Sequence, residues 1–273
     1  MKRLFQSLSG WPLGVLQAVG ALLGWIAFLA SPTYRRRFLA NATQAGYSFS
    51  GLRGSVAQTG RAIGETPRLW FGDPAPVIWE GEEHLVAARG KGRGVVLLTP
   101  HLGCFEVTAQ ACAQKAPITV LYRPARKAWL RELVDTARAR PNLSTAPTTL
   151  AGVRQMLRVL KAGGTIGLLP DQVPPAGLGV WAPFFGRDAY TMTLPARLVQ
   201  QTGATLLLIW GERLPHGRGF RVRVQPFDGE LPTDQQAAAT QVNAAMERLV
   251  RACPSQYLWG YNRYKQPRQE MAP

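Results

Sequence analysis

The sequence predicts an α/β protein with a mixed, mostly parallel sheet flanked by helices, preceded by an apolar amino-terminal helix. Three observations carry this. Short runs rich in Val, Ile and Leu alternate with amphipathic stretches from residue 95 to residue 210, the rhythm of βαβ units. The runs are apolar throughout, as in "GVVLL" and "ATLLLIW", which suits strands covered on both faces. From Leu4 to Tyr34 no residue is charged.

Taken in order, "WPLGVLQAVGALLGWIAFLA" lies between Lys2-Arg3 and Arg35-Arg36-Arg37. Crossing a hydrocarbon core of about 30 Å takes about 20 helical residues. The stretch therefore suits an uncleaved anchor or a helix lying in the interface, and no A-x-A cleavage site marks a signal peptide. A boundary is expected at 34/35, with residues 1–34 as membrane anchor and 35–273 as the main domain. The heavier basic flank on the carboxyl side puts that domain in the cytoplasm. Residues 38–65 read as helical and packed on the anchor. "GDPAPVIWEGEEHL" reads as a Pro-rich connection and a short strand. Then follow the strand "GVVLLTP", the helix "CFEVTAQACAQ", the strand "APITVLYRP" and the helix "KAWLRELVDTARAR". After them come the helix "LAGVRQMLRVLKAGG", the strand "TIGLLPDQ", the helix "TLPARLVQQTG" and the strand "ATLLLIWGER". "GFRVRVQPF" alternates as a half-exposed strand and pairs antiparallel with its predecessor. "TDQQAAATQVNAAMERLVRAC" closes the series as a long helix with a Thr cap.

The chain holds 273 residues, enough to bury a large core, with 32 Lys and Arg against 16 Asp and Glu, a net charge of +16. That balance calls for an anionic partner: nucleic acid, an anionic membrane or an acidic protein. The apolar helix argues against nucleic acid, since basic residues beside a membrane helix draw anionic lipid. The three cysteines (Cys104, Cys112, Cys253) form no CxxC pair, and the three histidines (His84, His101, His216) show no zinc-ligand spacing. "GKGRG" at 90–94 precedes a strand and so is no dinucleotide loop.

The candidate chemistry sits in "LLTPHLGCFE", where His101 leaves a buried strand and Glu106 follows after Gly103. Ligands of such sheets bind at the carboxyl ends of strands. In one continuous helix the two side chains would stand about 140° apart. With His101 ending the strand and Gly103 turning, Glu106 enters the first helical turn and its carboxylate folds back to the imidazole. A carboxylate on Nδ1–H fixes the tautomer and leaves Nε2 as a base. No G-x-S-x-G elbow supplies a protein nucleophile, so the substrate's own hydroxyl or amine is expected to attack. A strand-end histidine bonded to a carboxylate for structure alone fits the spacing equally well. Arg123, at a strand's carboxyl end, suits a bidentate phosphate grip. Arg138 and Arg140 close a helix, where they also complement its dipole. Asp171 and Gln172 again end a strand, where loop capping is the competing role.

His101-Leu-Gly-Cys-Phe-Glu106 resembles the H-x4-D/E motif of the glycerolipid acyltransferase superfamily, in the form found in the lipid A late acyltransferases. "YRP" (122–124), "ARAR" (137–140), "LLPDQ" (168–172), "GVWAPFFGRDAYT" (179–191) and "PSQYLWGYNRYK" (254–265) resemble that family's further blocks in the same order. Cys104-Phe105 stands where the family has Asn-Trp, and Tyr261-Asn262 where basic residues are common. The resemblance implies a membrane-bound O-acyltransferase of the bacterial inner membrane, with its catalytic domain on the cytoplasmic side. His101 and Glu106 would form its general-base dyad. Arg123, Arg138, Arg140, Asp171, Gln172 and Arg263 would bind substrate. It implies an acyl thioester donor on an acidic acyl carrier protein (or acyl-CoA), a hydroxyl of a lipid A precursor as acceptor, and no metal or organic cofactor. Two other readings stay open: the same chemistry on a lysophospholipid or amino-acid lipid, and a non-enzymatic basic membrane scaffold.

Overall fold

The computed structural model describes residues 2–125 and 127–269. Met1 and the last four positions of the expected 35–273 domain lie outside the described residues. Five helices come first: α1 (Lys2–Ser9), α2 (Leu13–Ala30), α3 (Pro32–Gln44), α4 (Phe49–Gly64) and α5 (Thr66–Phe71). Ser31 and Ser48 begin α3 and α4 by accepting from the backbone N–H groups of Tyr34 and Gly51, as short hydroxyl side chains do at helix starts. Arg35 folds back from α3 to cap the Phe28 and Leu29 carbonyls at the end of α2.

The α/β body follows, with β1 (Val77–Glu80), α6 (Glu82–Gly90), β2 (Val95–Leu98), α7 (Phe105–Ala113), β3 (Ile118–Tyr122) and α8 (Ala128–Arg138). Next come β4 (Leu143–Pro147), α9 (Leu150–Lys161), β5 (Thr165–Leu168), β6 (Gly179–Phe184), β7 (Arg187–Met192) and α10 (Leu194–Thr202). The last elements are β8 (Thr205–Arg213), β9 (Phe220–Pro226) and α11 (Gln235–Ala252). Seven strands form one sheet in the order β1-β9-β8-β2-β5-β3-β4. The five from β8 to β4 are parallel, β9 runs antiparallel to β8, and β1 is parallel to β9. The sheet is mixed and mostly parallel, as the sequence predicts.

Period-2 alternation divides the apolar side chains between two cores. On β2, Val96 and Leu98 join Met156, Leu160 and Leu198 of α9 and α10. Val95 and Leu97 face the other way, toward Leu69 of α5, Leu85 of α6 and Val107 of α7. Several features depart from the sequence reading, the helix α6 among them. β4 and the β6–β7 hairpin were not anticipated, and α11 is capped by Asp234, whose carboxylate accepts from Ala237 N–H, rather than by a threonine. β4 is a short edge strand of mixed polarity, with no period to read. The hairpin turns on Phe185-Gly186 with φ of 48° and 74°, and a phenylalanine in left-handed backbone advertises no turn.

The 34/35 boundary falls inside α3, and α2 lies against α4. The two helices meet at Gly20 and Gly24 facing Gly60 and Gly64, with no room for a side chain between them. A Cβ on Gly60 would lie 2.0 Å from the Gly20 carbonyl oxygen. This is small-xxx-small packing on both partners. Gly60→Ala should therefore force the helices apart and cost about 1–3 kcal/mol. Gly54→Ala, on an open face of α4, should be neutral or slightly stabilising. A melting curve for each checks this; equal midpoints would refute the close crossing.

Candidate active site

A cavity of about 810 Å³ opens at the carboxyl ends of the parallel strands, the place where open α/β sheets bind ligands. His101 stands in its wall. The ladder of β2 and β5 extends one bond past the strands, from Thr99 N–H to the Leu168 carbonyl, and brings the two chain ends together. Asp171, leaving β5, then takes the backbone N–H and the Nδ1 of His101. Oδ2 accepts from the His101 backbone N–H at 2.8 Å and Oδ1 lies 2.7 Å from Nδ1. Asp171 is only 2% exposed. With Nδ1–H donating to this carboxylate, Nε2 carries the lone pair, and the exposed Gln172 amide donates to it at 2.9 Å. Phe105 packs on the ring with centroids 4.9 Å apart.

Burial pushes the Asp171 carboxyl up, but the His101 charge, the two bonds from His101 and the Arg263 charge outweigh it, leaving its pKa below the ordinary value. Burial, then the Asp171 charge, drive the neighbouring Tyr257 phenol well up.

Glu106 does not make the contact expected of it. It enters the first turn of α7 as anticipated, but the Nδ1 position is already filled from β5. Its carboxylate instead pairs with Arg138 at the end of α8. Arg138 lies over the Tyr122 ring at 5.0 Å, and all three residues line the cavity. Arg123 also lines it, on the exposed rim after β3. Two of the expected substrate arginines are used elsewhere. Arg140 donates to the Leu69 carbonyl at 2.5 Å and so ties the end of α8 to α5. Arg263, 2% exposed, donates to the Tyr190 carbonyl, Thr191 and Asn243. Neither lines the cavity; each guanidinium donates to protein oxygens elsewhere. Phe184 and Phe185 are core residues.

Sequence reasoning missed the support beneath the His101 loop. Gly103, with φ of 59°, turns the chain so closely that a Cβ would lie 2.0 Å from the Gly211 carbonyl oxygen. Arg213, at the end of β8, donates to the Gly103 carbonyl at 3.2 Å and forks onto buried Glu65 through two bonds of 2.7 and 2.6 Å. Gln17 of α2 donates to the same carboxylate at 3.1 Å. Burial alone would lower the Arg213 pKa, but Glu65 holds it above its ordinary value. No spacing rule connects residues 17, 65, 103 and 213; a fully buried Glu65 was the available clue only once burial was known.

Residues 52–266 match the bacterial lipid A biosynthesis acyltransferase family. The chain is 29% identical over 211 residues to the lipid A biosynthesis palmitoleoyltransferase of Escherichia coli (strain K12), covering 76% of this chain and 68% of that one. It is 26% identical over 212 residues to the lipid A biosynthesis lauroyltransferase of the same strain, covering 76% and 69%. A lipid A biosynthesis acyltransferase of Haemophilus influenzae is 24% identical over 182 residues, covering 66% and 56%.

Two outcomes follow from this geometry. Removing the Glu65 charge leaves a buried guanidinium unpaired, so Glu65→Gln should cost about 3–5 kcal/mol, measured as a lower urea midpoint. Because the folded Asp171 has a lowered pKa, its ionic contribution is full above the unfolded carboxyl value near 4. It is lost as pH falls through the lower folded value. The gap in melting temperature between wild type and Asp171→Asn should accordingly be flat above about pH 5 and close progressively on acidification below about pH 4. A gap that widens in acid would contradict the assignment.

Proposed function

The chain belongs to the bacterial lipid A biosynthesis acyltransferase family, and from that premise we propose that it transfers a fatty acyl chain from an acyl thioester on acyl carrier protein to a hydroxyl of a lipid A precursor. The chain is thus an O-acyltransferase. The observation that carries the finer reading is the His101–Asp171 pair at the wall of a largely apolar cavity. In this reading the acceptor hydroxyl takes the place of the Gln172 amide at Nε2 and gives its proton to His101. The oxygen attacks the thioester carbonyl, the C–S bond breaks, and the departing thiolate takes the proton back from the imidazolium. Asp171 holds the ring and stabilises its charged form. Glu106 acts one step removed from the base assigned to it by the sequence, keeping Arg138 in the cavity wall. The thioester is the activated species, so the reaction requires no metal or organic cofactor.

The amino-terminal helices suit a lipid acceptor. α2 buries Leu16, Gln17, Gly20, Gly24 and Phe28 and exposes Val15, Val19, Leu22, Leu23, Ile26 and Leu29 along its other side. Its 18 residues have a mean hydropathy of 2.0. The adjoining α1 stacks Phe5 on Trp70, which itself lines the cavity. The exposed stripe faces lipid in this reading, with Arg36 and Arg37 at its end meeting anionic headgroups, and the excess positive charge steers an acidic carrier protein toward the site.

His101→Ala is expected to lower turnover by about 10²–10⁴, and Asp171→Asn to follow it more closely than Glu106→Gln does. Steady-state rates with a carrier-bound acyl thioester and a lipid A precursor, with products read by mass spectrometry, check this. A wild-type rate for His101→Ala would remove the base. Replacing Leu22 and Leu29 together with Glu should release protein from anionic vesicles in a flotation assay; unchanged binding would mean the stripe does not face lipid.

A further inference from the structure

The cavity has walls on both faces of the sheet. Leu157 and Leu194 line it and pack on the core under α9 and α10. Leu97, Ile118, Leu143 and Ile209 line it and belong to the core under α7. In this second arm one row across the sheet reads Leu97 on β2, Gly167 on β5 and Val120 on β3, paired in register. All three line the cavity, and Gly167 is buried. The next row away from His101 holds Ile118 paired with Leu143, two residues or about 7 Å deeper.

Glycine inside a buried parallel strand weakens it and marks a close approach of some other group. Nothing in the backbone demands glycine here: a Cβ on Gly167 would meet only Val120 Cγ1 at 3.3 Å and Ile118 Cδ1 at 3.7 Å. The missing side chain therefore leaves a trough between Leu97 and Val120, and the trough leads from the His101 end of the strands to Ile118 and Leu143. Resting on the reading of the cavity as an acyl chamber, the geometry points to Gly167 as the residue that sets donor chain length. The fatty acyl chain of the thioester runs down β5, crosses the sheet face where Gly167 has no side chain, and ends against Ile118 and Leu143. A branched side chain at 167 fills the trough and stops the chain one row short.

The test is a competition among saturated acyl thioesters of graded length, with a lipid A precursor as acceptor and the products weighed by mass spectrometry. Gly167→Val should shift the preferred donor to shorter chains. Each methylene kept out of the cavity lowers relative kcat/KM about fourfold, so the long-to-short ratio should fall at least about tenfold. Gly167→Ala should shift it in the same direction by less. Ile118→Ala, which deepens the far end, should shift it toward longer chains, so the inference does not depend on one variant folding. Melting curves confirm that each protein compared is folded. Opposite shifts from the 167 and 118 variants support the assignment. If neither moves the preference while Val153→Phe in the other arm does, the chain lies under α9 and the assignment to Gly167 is overturned, with the acyl chamber left standing. If none of the three moves it, the cavity is not the acyl chamber. A wild type that transfers no chain overturns the proposed function and this inference with it.

Discussion

A buried ion pair, Glu65 with Arg213, holds together the parts on which the rest depends. Glu65 joins α4 to α5 in the helical amino-terminal region, and Arg213 ends β8. Their forked bonds are closed off from water, with side chains 1% and 2% exposed. Two charges removed from water are costly unless each remaining donor and acceptor is used. Here Arg213 also bonds Gln58 and the Gly103 carbonyl, and Glu65 also accepts from Gln17. Gln256 bonds both the N–H and the carbonyl of Arg213, and its own carbonyl accepts from Gly103 N–H. One network thus fixes α2, α4, the end of β8, the carboxyl-terminal segment and the turn that aims His101. The apolar helix at the amino end is part of the body that carries the site, not a tether beside it.

The same logic accounts for part of the large positive charge. Arg213 and Arg263 are buried and Arg140 half-buried, and each donates to carbonyl, hydroxyl, amide or carboxylate oxygens of the protein. A guanidinium suits this work because it stays charged and presents a rigid fork of donors. What remains for a partner is the exposed remainder, including Arg36 and Arg37. The net charge of the sequence is therefore a poor guide to which arginines would meet a partner.

The site gains its chemistry from adjacency of strands. His101 and Asp171 are 70 positions apart, yet β2 and β5 are neighbours in the sheet, and both chains leave it at the same edge. The carboxylate that reaches Nδ1 is the one whose strand end lies beside the histidine. Glu106, nearer in sequence, lies in the first turn of α7, and its carboxylate meets Arg138 at the end of α8. The pairing of Glu106 with Arg138 places a neutralised charge pair in the cavity wall, which costs less than either charge alone.

The sequence by itself determined most of the element pattern, because hydrophobic period is a local property. The all-apolar run Val95–Leu98, the Gly203 stop and the alternation of Phe220–Pro226 each specify their structure without reference to distant residues. The order of the motif blocks was equally legible and marked the family. His101 at a strand's exit was legible as a candidate base, since strand ends are where such sheets work. The tertiary structure alone decided which carboxylate meets its Nδ1, which arginines are taken up by protein oxygens, and that Gly167 lies in the cavity wall. Each of these depends on strand order and on what stands across the sheet. Strand order arises from long-range packing of whole elements, and the spacing of residues along one chain carries no record of it.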